Sequence, residues 1–197
     1  MNNETLFALL AFALVSSITP GPNNIMLMSS GTNFGIKKSL PHMLGVSIGF
    51  ALMVGLVGVG LMQLFAIYPI IQKILKVVSI TYLIYLSYKI AVAAPVSPET
   101  TGQSKPFTFI QAALFQWVNP KAWTMALSAI TLYAPSNTFQ EVMKVALAFG
   151  VVNLPSVSTW VVLGKQIRRF LSSHKKLRIF NYFMASLLLT TVFYLVL

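Results

Sequence analysis

Six long apolar stretches divide this chain. They run from about Thr5 to Met28, His42 to Ala66, Ile71 to Ala93, Phe107 to Ala134, Val142 to Gly164 and Ile179 to Leu197. A helix of about 20 apolar residues crosses the ~30 Å hydrocarbon core of a bilayer. The pattern therefore predicts an all-α, polytopic membrane protein with six transmembrane helices. The segments between are short. Ser29 to Pro41 reads as a polar loop, Pro69 as a tight connection and Pro135-Ser136-Asn137 as a turn. Ala94 to Pro106 is the most polar stretch and reads as a linker, and Lys165 to Arg178 reads as a basic loop.

Two of the six stretches are interrupted. Thr19-Pro20-Gly21-Pro22-Asn23-Asn24 breaks the first, and Gln116-Trp117-Val118-Asn119-Pro120-Lys121 breaks the fourth. Proline has no N–H to donate, and its ring clashes with the preceding turn. In hydrocarbon, each freed backbone group costs several kcal/mol unless protein or water satisfies it. Both breaks are therefore expected to face an interior or a wet cavity. Pro20 and Pro120 stand 100 residues apart, each in the first span of a three-span unit. Three is odd, so the second unit enters the membrane from the opposite side. The expected layout is two inverted repeats, about 1–93 and 107–197, joined by a linker at 94–106, with helices 1 and 4 broken. Broken helices at matching positions of such repeats point to a transporter's midplane site.

Composition supports the membrane class. Of the 197 residues, 56% are hydrophobic and 9% charged, and the mean hydropathy is +0.77. Soluble domains carry about 25% charged residues. The net charge of +11 sits mainly between apolar runs, which argues against a nucleic-acid partner and for the positive-inside rule. Ten of the 14 basic residues fall in the first, third and fifth loop regions, three in the second and fourth, and Lys121 within a span. The odd loops are thus expected in the cytoplasm and both termini outside. Met1-Asn2-Asn3-Glu4 lacks the basic start of a cleaved signal peptide, so the first span is expected to be retained. There is no cysteine, which excludes disulfides, thiolate catalysis and Cys-ligated metals.

The acidic residues are the strongest constraint. Only Glu4, Glu99 and Glu141 exist, all at ends or in loops, and there is no aspartate. Paired-carboxylate hydrolysis, an Asp-dependent triad and a carboxylate metal cage are excluded from the membrane interior. No cofactor or metal is expected. Lys121 is the ionisable residue expected at depth, where a cation tends to mark function. It is a candidate for pairing with a substrate carboxylate or for proton coupling; the bland alternative is snorkelling to an interface. His42 opens the second span, and its titration range suits proton coupling, although an interfacial histidine needs no such role. His174 falls in the basic loop. Asn23, Asn24, Asn119 and Asn153 lie beside prolines in apolar runs, where amides can satisfy backbone or bind a zwitterion. Gly45 and Gly49 form a GxxxG pair that lets a second backbone approach, within the chain or in a homodimer.

Ile18-Thr19-Pro20-Gly21-Pro22-Asn23 resembles the signature of the LysE/RhtB family of amino-acid exporters. Gly31 to Gly49 looks like that family's next block, and Asn119-Pro120-Lys121 resembles its second motif. The resemblance covers the whole length. It implies a bacterial inner-membrane efflux carrier with six spans in two repeats, driven by a proton gradient. It is nearest the branch exporting small neutral amino acids or derivatives such as cysteine, O-acetylserine, homoserine or threonine. On this reading Pro20, Gly21, Pro22, Asn23, Asn24, Asn119, Pro120 and Lys121 form the substrate site. Some members carry intramembrane acids, and this chain has none. Lys121, His42 or the substrate's own groups then take the coupling role, or transport is uniport. Two other classes stay open: a membrane-embedded enzyme acting on lipid or peptide, and a non-transporting scaffold.

Overall fold

A computed structural model describes residues 1–61, 67–68, 70–93, 105–136, 138–171 and 173–196. Among these residues there are seven α-helices: α1 Asn3–Ile18, α2 Pro22–Leu56, α3 Ile70–Ala91, α4 Phe109–Phe115, α5 Pro120–Tyr133, α6 Phe139–Phe170 and α7 His174–Val196. Local chemistry sets several starts. The Asn2 side chain accepts from the Thr5 amide and caps α1. Thr108 and Gln111 form a reciprocal capping box on α4. Thr138 caps α6.

The expected loop from Ser29 to Pro41 is helical instead. α2 runs through it with one interruption, at Gly35 (φ 76°, ψ 175°). Nine residues of straight helix would separate Ser30 from Ser39 by about 13 Å, yet their hydroxyls are 2.7 Å apart. The chain therefore turns back at Gly35, giving α2 two arms. Polarity misled the sequence reading because the polar side chains bond within the helix. Thr32 Oγ1 donates to Met28 O, Asn33 Nδ2 to Ser29 O, and Ser39 Oγ to Gly35 O. The basic loop shrinks likewise. α6 runs to Phe170 and α7 begins at His174, so most of Lys165 to Arg178 lies on helix ends. The linker expected at 94–106 and the end of the second span fall mainly outside the described residues.

α6 is the central strut. Gly31 in the first arm of α2 lies against the Val161 backbone, and Gly164 lies against Met28. Along the second arm, Ser47 meets Asn153, Ala51 meets Gly150, and Gly58 meets Val142. That order makes the second arm antiparallel to α6. α3 and α7 are also antiparallel: Leu83 and Leu86 share a core with Met184 and Leu188, and Asn181 Nδ2 reaches Ala93 O at 2.8 Å. A second core joins α1, the second arm, α5 and α6 through Leu9, Ala13, Phe50, Met53, Ala126 and Phe149.

Among the described residues, three runs are long and apolar enough to cross a membrane: Pro22–Leu61, Lys73–Ala91 and Phe139–Phe170. Asn3–Ile18 and Phe109–Val118 are apolar but shorter. The outer surface stays apolar, with Phe7, Ile110, Val151 and Phe170 all at least two-thirds exposed. An exposed apolar surface of this kind suits lipid contact.

Candidate functional site

The first break leaves no carbonyl stranded. α1 stops at Ile18, Thr19 turns extended, and Pro22 opens α2. Val15 O accepts from the Thr19 amide and Ser16 O from Thr19 Oγ1. Asn24 Nδ2 reaches back to Ser17 O at 2.9 Å and Thr19 O at 2.7 Å. Trp160 Nε1 of α6 donates to Ile18 O at 3.0 Å. Every carbonyl from Val15 to Gly21 thus has a donor once Lys121 and Ile25 are counted. The expectation that freed groups need partners is met by side chains.

The second break is tighter. α4 passes into a 3₁₀ turn, Gln116–Val118, and Asn119 then caps α5 by accepting from the Lys121 amide at 3.2 Å. Pro22 and Pro120 both occupy first-turn positions of their helices. Proline suits that position because no partner is needed for the missing N–H. These prolines start helices as much as they stop them.

The two breaks meet. Lys121 Nζ donates to Thr19 O at 2.6 Å, Thr19 Oγ1 at 2.8 Å and Pro20 O at 3.3 Å. An ammonium has three N–H donors, so all three are matched. The cation also sits at the C-terminal end of α1, where the helix dipole is negative. Gly21 makes room for it: a Cβ there would lie 2.6 Å from Lys121 Cδ. Beside this contact, Asn23 Nδ2 donates to Gln116 Oε1 at 2.8 Å, and Gln116 Nε2 returns to Asn23 Oδ1 at 3.3 Å. Gln116 is fully buried and also donates to Ala112 O.

A cleft of about 320 Å³, counting its open mouth, lies between the breaks. Gly21, Asn23, Asn24, Asn119 and Lys121 line it, with Gln116, Ser17 and Asn153. Pro20, Pro22 and Pro120 shape the backbone around it and are not among the lining residues. The first turns of α2 and α5 both border the cleft, and α2 has no side-chain cap. Helix N-termini favour anions. Among the described residues no group of His, Cys, Asp or Glu could hold a metal.

Other predicted residues lie elsewhere. His42 is 1% exposed, stacks on Phe107 at 5.1 Å, and lines a different cavity. Gly45 and Gly49 face α4, the first against Phe109 O and the second 2.6 Å short of Ala113 Cα for an added Cβ. That face is filled by the same chain. His174 is exposed at the start of α7.

Sequence reasoning left Gln116, Ser17, Thr19 and Trp160 out of the site. Gln116 carried a usable signal, as an amide inside an apolar run next to the second break. Trp160 carried none, because only the packing of α6 on α1 brings its N–H to Ile18. Asn33 and Asn181 form another reciprocal amide pair, at 3.0 and 3.3 Å, that joins α2 to α7.

An apolar-surfaced helical protein with helices long and apolar enough to cross a membrane fits the class of polytopic membrane proteins. The sequence model described as LysE type translocator matches residues 14–197, and the chain belongs to that family. A cysteine/O-acetylserine efflux protein of Klebsiella pneumoniae subsp. pneumoniae is 26% identical over 191 residues, 95% of each chain. Proteins of the same description from Escherichia coli K12 and Shigella sonnei are 27% identical over 171 residues, 86% of this chain and 87% of theirs. No solved structure matches.

Proposed function

We propose that this protein exports small neutral amino acids or their derivatives, cysteine and O-acetylserine among them, across the bacterial inner membrane. The observation that carries this reading is the junction of Lys121 with Thr19 and Pro20, which ties the two breaks together over a polar cleft. In the exporter, a substrate carboxylate competes with the α1 oxygens for the Lys121 ammonium. The amides of Asn23, Asn24 and Asn119 take its remaining polar groups. Release of Lys121 from Thr19 frees the two halves to rock, which gives alternating access. The antiparallel pairing of the second arm of α2 with α6, and of α3 with α7, supports inverted repeats. His42 is the better proton-coupling candidate, since its ring nitrogens have no partner among the described residues while Lys121 is fully engaged. The names of the relatives support the substrate class.

Counterflow in proteoliposomes, screened across amino acids at two pH values, tests substrate and coupling together. Lys121→Ala is expected to abolish counterflow of O-acetylserine while the protein still inserts and purifies as a folded species. Undiminished counterflow by this variant would remove Lys121 from the mechanism.

A further inference from the structure

A second cleft opens elsewhere along the α2 arms. It encloses about 640 Å³ with its mouth included. Ser29 and Ser30 line it from the first arm, His42 from the second, Lys89 from α3, and Lys105 and Phe107 from the approach to α4. His42 is buried against Phe107, with ring planes 28° apart. Neither ring nitrogen has a hydrogen-bond partner among the described residues. A neutral imidazole carries one donor and one acceptor. Leaving both unused away from water costs free energy, and such a group calls for a partner. Both lysines are exposed. Lys89 Nζ lies over the Tyr85 ring, 5.5 Å from its centroid. Among the described residues, no acidic one lines it. The cleft therefore presents two cations and a buried, unused imidazole, with apolar walls from Met26, Leu86 and Ile90.

We infer that this cleft binds a small organic carboxylate. The lysines supply charge at its mouth, and a turn of the buried His42 ring, whose nitrogens are covered in this structure, brings its N–H to one carboxylate oxygen. The apolar walls and the aromatic floor favour an organic anion over strongly hydrated phosphate, and Ser30 is already committed to Ser39. The cleft is the station where a transported amino acid docks by its carboxylate before reaching the breaks; this role rests on the proposed export function. Asn24 and Ser30 lie on one arm, about 9 Å apart along the axis. Met26 is buried between them.

The chain has two histidines, so His42 can be read alone. The test uses the full chain, ¹⁵N-labelled at histidine, in nanodiscs of neutral lipid, titrated with acetate, O-acetyl-L-serine, its methyl ester and inorganic phosphate. Acetate and O-acetyl-L-serine are expected to move the His42 resonances saturably, and the ester is not. Lys89→Gln/Lys105→Gln is expected to weaken the acetate response at least tenfold. A silent His42, a response to phosphate alone, an equal response to the ester, or undiminished affinity in the double variant would each overturn the site. Counterflow of O-acetyl-L-serine with a silent His42 would overturn this site and leave the export function standing. An acetate response in a protein that moves no amino acid would keep the carboxylate site and overturn the export function.

Discussion

Asn24 carries more of the first break than any other side chain. Its one amide nitrogen serves two carbonyls, Ser17 O and Thr19 O, from a position 3% exposed. Thr19 O keeps Lys121 as a second donor, but among the described residues Ser17 O has only Asn24. Asn24→Leu is therefore expected to cost about 1–3 kcal/mol, the penalty of a buried acceptor left unpaired. Thermal unfolding of the purified variant in detergent checks this. A melting temperature equal to the parent's would show that water reaches Ser17 O. Lys121 differs in kind. Its three acceptors are fixed by the fold, yet it is only half-buried, so a competing carboxylate can approach. This distinction separates a residue that holds the break from one proposed to work there.

At the scale of the element, Gly35 decides the course of α2. Its φ of 76° and ψ of 175° belong to a region that is essentially reserved for glycine. An added Cβ there meets nothing within 4 Å, so the constraint is backbone and not space. Gly35→Ala is expected to destabilise by about 1–3 kcal/mol. Gly55 in the second arm also has open space for a Cβ but no such φ. Gly55→Ala is expected to be neutral or to stabilise by up to about 1 kcal/mol, since Ala suits a helix interior better. Paired melting curves read the contrast; like shifts for both would refute the bend at Gly35. The sequence pattern placed a loop near this point but misjudged its nature. Hydroxyl and amide side chains can bond the preceding turn of a helix as readily as they can face water. Polarity at Thr32, Asn33 and Ser39 was therefore no guide to solvation.

For the whole molecule, the distribution of charge predicts an orientation. Basic residues cluster at the junction of α6 and α7, where Lys165, Arg168, Arg169, Lys175, Lys176 and Arg178 lie. The positive-inside rule predicts that end in the cytoplasm and the N-terminus outside. The natural absence of cysteine makes the test direct, because any introduced thiol is unique. In intact cells, Asn2→Cys is expected to react with a membrane-impermeant maleimide. Lys175→Cys is expected to react only after permeabilisation. The reverse pattern would invert the topology and, with it, the side from which the Lys89 and Lys105 cleft opens.

The sequence by itself determined the helical membrane class, the two breaks, and their residues Thr19 to Asn24 and Asn119 to Lys121. These follow from local rules: apolar run length, the missing proline N–H, and the cost of bare backbone in lipid. It also bounded the chemistry, since the chain has no thiol and its three acidic residues are Glu4, Glu99 and Glu141. Tertiary structure decided what local rules cannot reach. It paired Asn23 with Gln116 and Lys121 with Thr19, residues about 100 positions apart, and brought Trp160 to the end of α1. It set His42 away from the breaks in a cavity of its own, and turned a polar loop into a bend at one glycine. Partners distant in sequence become neighbours only through packing on α6, and no local signal in an apolar run records which face that packing will use.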